Sequence, residues 1–198
     1  MIVLGSGTQQ AIPKEEIDQA LESMQTAKYC VTGYELETES VQYLIQKAKA
    51  LGIMTVLNPS PVPDKKPDFW HLVDILVLNE VEVAHMLNLA GRCPSEKWEK
   101  NASMIREVYG CRQVVITLGP NGFCSMDAAG NVARGAGEKV ESMDATGAGD
   151  SFLGAMTARL AAGDSLGEAC SWANCYAACT VQKPGIISSY PRLSELTF

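Results

Sequence analysis

Short β-branched runs alternate with amphipathic runs of helical period along nearly the whole chain, and few folds tolerate that alternation. Strand-like runs stand at residues 1–4, 29–32, 53–57 and 75–78, and "VVITLG" begins at Val114. Helical patterns fill residues 13–27 and 38–51, a short segment from Glu80, and residues 95–109, 148–162 and 165–182. The first of these helices starts on a proline with Glu15 and Glu16 in its first turn, which suits the helix dipole. The second stops at Gly52, and Ser95 supplies a cap for the fourth. "NPSPVPDKKPD" is too rich in proline to continue a sheet. "PNG" turns "VVITLG" back into "FCSM", so one antiparallel hairpin strand is expected. Short strands separated by longer helices predict an α/β fold with three layers, α/β/α, around a mainly parallel sheet. No repeat or linker divides residues 1–198, so one domain is expected.

A net charge of −7 and the lack of any basic run argue against a nucleic-acid partner, whose footprint is basic. No apolar run approaches the roughly 20 residues of a membrane span, and the N-terminus lacks the pattern of a signal peptide. The seven cysteines (30, 93, 111, 124, 170, 175 and 179) form no CxxC pair. They read as reduced thiols in a cytoplasmic protein, packed as small hydrophobes rather than around a metal. His71 and His85 have no metal-motif partner and are read as structural.

One stretch carries chemistry. "DATGAGDSFLGA", from Asp144, sets Gly147, Ala148 and Gly149 before an acid and an apolar helical run. It is neither a P-loop nor a dinucleotide fingerprint, because the Lys-Ser/Thr pair and the third glycine are missing. Free N–H groups at a helix start carry about half a positive charge and bind anions, and small residues let a phosphate approach the backbone. A carboxylate at the same turn can take a proton from an attacking hydroxyl. Backbone cradle plus base points to phosphoryl transfer to an alcohol.

"DATGAGDSF" resembles the signature of the ribokinase-like carbohydrate kinases, and four further stretches fall in that family's order: "NPSP" at 58–61, "LNEVE" at 78–82, "VVITLGPNG" and "GIISSYP" at 185–191. The resemblance implies ATP-dependent phosphorylation of a sugar primary hydroxyl, ribose first. It makes Asp150 the base and the amides of Gly147, Ala148 and Gly149 the anion hole. It places Asn79, Thr117, Gly119, Gly122 and Asn174 around the nucleotide, Glu82 in the water shell of Mg²⁺, and Glu35 on the sugar. It also implies a monovalent cation, K⁺, at Asp144, Thr146, Thr180, Lys183, Gly185 and Ser189. Ala145 and the pair Ile186-Ile187 depart from the family pattern there.

The same resemblance implies a preceding segment of roughly a third of the enzyme, with a sugar-binding loop and lid strands that commonly join two subunits. Met1 aligns inside the family, so a homodimer is implied for full-length relatives and not for this chain. A non-catalytic nucleotide-binding module, or a kinase for fructose or a nucleoside, remain alternatives.

Overall fold

The computed structural model describes residues 11–63, 65–89 and 97–196. Six strands form one sheet in the order of the chain: β1 (Tyr29–Gly33), β2 (Met54–Asn58), β3 (Ile75–Asn79), β4 (Gln113–Thr117), β5 (Phe123–Met126) and β6 (Val132–Gly135). The first four are mutually parallel, while β5 and β6 run antiparallel. Two antiparallel strands therefore follow the parallel set, where the sequence predicts one. The run at 1–4 lies outside the described residues, as do Ser95 and Cys93.

Sequential parallel strands need right-handed crossovers, which set all their connections on one face. That face carries α2 (Thr38–Ala50), α3 (Glu80–Met86) and α4 (Trp98–Tyr109), with α1 (Lys14–Ser23) packed beside α2. The opposite face carries α5 (Ala148–Ala162) and α6 (Leu166–Thr180). Strand residues alternate between the two layers as a pleat requires. Leu76, Leu78, Val114 and Ile116 join the core under α2 and α4. Ile75, Val77 and Val115 join Phe152, Met156 and Ala173 under α5 and α6.

Two details differ from the sequence reading, and a third adds to it. Helix α1 ends at Ser23 rather than Ala27: its buried residues are Ile17 and Leu21, and Met24 just beyond it is exposed. Cys111, Cys124 and Cys170 are buried, whereas Cys30, Cys175 and Cys179 are only half-buried. Asp74, immediately before β3, is fully buried, and its carboxylate takes Lys49 Nζ at 2.6 Å and the Thr55 N–H at 2.9 Å. Burial pushes that carboxyl up, but Lys49 and Thr55 together outweigh it and hold it below the ordinary aspartate value.

The C-terminal ends of the parallel strands lie along one edge. There Gly33 pairs with Asn58 and Asn79 with Thr117. The Asn58 side-chain amide donates to Val77 O at 2.9 Å, and Tyr34 N donates to Ser60 O at 3.2 Å. Ligands of open parallel sheets bind at this edge.

Candidate functional site

Helix α5 begins at this edge. Gly147 is its N-cap in the left-handed region (φ 79°), a conformation that costs glycine little. A side chain there would also fail on space, since a Cβ would fall 2.8 Å from Ile186 Cγ2 and 3.0 Å from Tyr190 Oη. At Gly149 the opposite holds: a Cβ would meet nothing within 4 Å, so the backbone faces open space.

The amides of this turn are not equivalent. Ala148 N–H donates to Ala145 O at 3.2 Å, and Ser151 N–H donates to Gly147 O at 2.9 Å. Gly147, Gly149 and Asp150 N–H have no hydrogen-bond acceptor among the described residues. Of the three amides named from sequence, that of Ala148 is thus engaged within the turn, while the neighbouring Asp150 amide, not among the three, has no acceptor among the described residues. The Asp150 side chain is exposed and makes no hydrogen bond or ion pair among the described residues.

Beside the turn lies a cleft of about 370 Å³. It is lined by Thr117, Gly119, Gly122, Ala148, Gly149 and Asn174, six residues from three separate stretches of sequence, whereas Gly147 and Asp150 lie outside its lining. Thr117 sits at the end of β4, where its Oγ1 donates to Leu78 O at 3.2 Å. Gly119 and Gly122 flank the tight turn into β5, both with positive φ. Asn174 reaches from α6, donating from Nδ2 to Ala136 O at 2.9 Å. Phe152 and Val181 close the apolar side.

Sequence reasoning missed the loop after β6. Gly137, Glu138 and Val140 line the cleft from it. A Cβ on Gly137 would stand 2.0 Å from Pro120 O, so the loop touches the β4–β5 turn backbone to backbone. The glycines in "RGAGE" were the available signal.

Asn79 and Glu82 lie outside the cleft lining and form a capping box for α3. Asn79 Oδ1 accepts from Val81 N and Glu82 N at 2.9 Å each, and Glu82 Oε2 accepts from Asn79 N at 2.8 Å. Glu82 is 7% exposed; burial raises its carboxyl above the usual glutamate value, against the Asn79 amide and the Ser60 hydroxyl, which lower it. Asn79 Oδ1 and one Glu82 oxygen are thereby committed to the cap. No group of three or more His, Cys, Asp or Glu that could hold a metal occurs among the described residues.

The C-terminal loop closes over the signature turn. Asp144 Oδ1 accepts from Thr146 N at 2.9 Å, and Oδ2 accepts from Gly185 N at 3.1 Å. The hydrogen bonds from Thr146 and then Gly185 hold its carboxyl below the usual aspartate value. Thr180 Oγ1 donates to Tyr176 O, Ser189 Oγ to Ile186 O, and Lys183 Nζ meets Glu195 Oε1 at 3.3 Å. These side chains are internally committed. The carbonyls of Asp144, Thr146, Lys183 and Gly185 accept no hydrogen bond among the described residues.

Glu35 lies in the bend after β1, exposed, and does not line the cleft. Its neighbour Tyr34 points into the core, where it accepts from Trp70 Nε1 at 2.6 Å.

A family model described as pfkB family carbohydrate kinase matches residues 2–193. The chain is 31% identical to a ribokinase of Staphylococcus aureus over 98% of its own length and 64% of that protein's. It is 33% identical to a ribokinase of Mus musculus over 99% of its length and 61% of the relative's. It therefore spans less than two thirds of these curated relatives. A ribokinase of Arabidopsis thaliana, solved with ribose and ATP, superposes with a TM-score of 0.78 at 22% identity, over 96% of this chain and 60% of that one. At that identity the likeness speaks for the fold. No helix among the described residues is long and apolar enough to cross a membrane.

Proposed function

Because the chain belongs to the pfkB family of carbohydrate kinases, we propose that it binds ATP in the cleft beside α5 and transfers the γ-phosphoryl group to a sugar primary hydroxyl, ribose first. One observation supports this reading: the Gly149 and Asp150 amides and the Asp150 carboxylate, none with a hydrogen-bond partner among the described residues, share the first turn of α5, whose Ala148 and Gly149 line the cleft. Asp150 takes the proton of the sugar hydroxyl, whose oxygen bonds to the γ-phosphorus while the β–γ bridging oxygen leaves with ADP. The free amides face the charge that develops on the transferring group. Thr117, Gly119, Gly122 and Asn174 hold the nucleotide. Asn79 and Glu82 would position the water shell of a bound Mg²⁺, which neutralises phosphate charge. Carbonyls of the C-terminal loop would hold K⁺, and Glu35 would contact the sugar. Ribose is favoured over fructose or a nucleoside because relatives named ribokinase match the chain nearly end to end.

A second reading is a nucleotide-binding module without turnover. Titration with ATP, followed by an ADP-release assay with ribose, separates the two. Saturable ATP binding with ribose-dependent ADP formation, raised by K⁺, is the expected result. Binding without turnover selects the module, and no ATP binding contradicts both.

A further inference from the structure

Tyr190 stands over the start of α5. Its hydroxyl lies 3.4 Å from Gly147 O, and it would be 3.0 Å from a Cβ at position 147. Gly147 O already receives the first helical hydrogen bond, from Ser151 N at 2.9 Å, so Tyr190 addresses its second lone pair. Across the same peptide plane, Ala148 N–H donates to Ala145 O at 3.2 Å. Both ends of the 147–148 peptide are therefore held, and the orientation of that plane sets where the next two amides point. Those are the amides of Gly149 and Asp150, which have no acceptor among the described residues.

We infer that Tyr190 is a positioning residue for the anion-binding turn, acting through Gly147 O to aim the Gly149 and Asp150 amides at the phosphate end of the nucleotide. The inference rests on the phosphoryl-transfer reading of α5. The ring is half-buried, and the loop bearing it is tied down at both sides, by Gly185 N on Asp144 Oδ2 at 3.1 Å and by Tyr176 Oη on Pro191 O at 3.0 Å. Burial first, and the Asp150 charge second, push the Tyr190 hydroxyl above its ordinary pKa, so it is protonated at neutral pH and acts as a donor.

The test compares ATP with adenosine in calorimetric titrations of the whole chain. Losing one hydrogen bond to a positioned carbonyl is worth a few-fold to tenfold in binding. Tyr190→Phe should weaken ATP about threefold to tenfold and change adenosine less than twofold. Tyr176→Phe, which removes a hydroxyl from the same loop, should leave the ATP-to-adenosine ratio unchanged. Equal losses for both ligands in Tyr190→Phe, no loss at all, or the same split in Tyr176→Phe would each overturn the assignment. A wild-type chain that binds ATP no better than adenosine would instead remove the anion-binding turn itself, and the inference with it.

Discussion

Asp150→Asn should lower ribose-dependent ADP formation at least a hundredfold while leaving ATP affinity within about twofold. A positioned general base contributes on the order of 10²–10⁴-fold, and asparagine keeps the shape of the side chain but cannot accept the proton. The carboxylate is exposed at the start of α5 with no competing hydrogen bond among the described residues, so its replacement breaks no hydrogen bond there. Nucleotide binding depends on the cleft and on main-chain amides, neither of which the substitution alters. Coupled kinetics beside calorimetry on the same preparation checks both halves. Turnover retained in Asp150→Asn would strip the residue of its role. ATP binding lost with turnover would make Asp150 a structural residue instead.

Gly122→Ala should be the most damaging change to the fold near the site. Gly122 has φ +91°, and a Cβ there would stand 2.0 Å from Gly135 O, 2.6 Å from Ala136 C and 2.7 Å from Gly137 N. All three are backbone atoms, so no side chain can swing away. Left-handed strain of about 1–2 kcal/mol and overpacking of about 1–3 kcal/mol add to roughly 2–5 kcal/mol. For a chain of this size that lowers the melting temperature by about 4–20 °C. The loop after β6 would also be pushed off the β4–β5 turn, and since both line the cleft, ATP affinity should fall tenfold or more. Gly163→Ala separates the two causes: its φ is +109°, but a Cβ there meets nothing within 4 Å. Strain alone should cost it about 1–2 kcal/mol and leave ATP binding intact. Equal behaviour of the two variants in thermal melts and titrations would contradict the packing argument.

The parallel core was legible because its signals are local. "ILVL" and "VVIT" have burial on both sides of the sheet, and α2 and α4 show one apolar stripe each. Strand β6 escaped notice because "VARG" alternates exposed with half-buried positions and carries an arginine and a glycine, a weak strand pattern in isolation. It is a strand because β5 pairs with it, from Phe123↔Gly135 to Met126↔Val132. Asp74 was unreadable for a similar reason: a buried carboxylate needs partners from other elements, here Lys49 of α2 and Thr55 of β2.

The site divides along the same line. The glycine turn, its helix and the neighbouring acid are contiguous in the chain, so the sequence exposes them. Which amides stay free depends on the Ala148-to-Ala145 bond, a detail of one peptide plane. The Gly137 wall and the Tyr190 contact depend on segments brought to Pro120 and Gly147 by the finished fold.

The most direct measurement of the anion-binding turn is an amide nitrogen–proton spectrum of the chain, recorded while a non-hydrolysable ATP analogue and, separately, adenosine are titrated in. The Gly149 and Asp150 amide protons should move strongly with the ATP analogue and hardly with adenosine, while Gly119 and Gly137 in the cleft respond to both. Gly149 and Asp150 signals that stay fixed as the ATP analogue saturates the cleft would contradict the account.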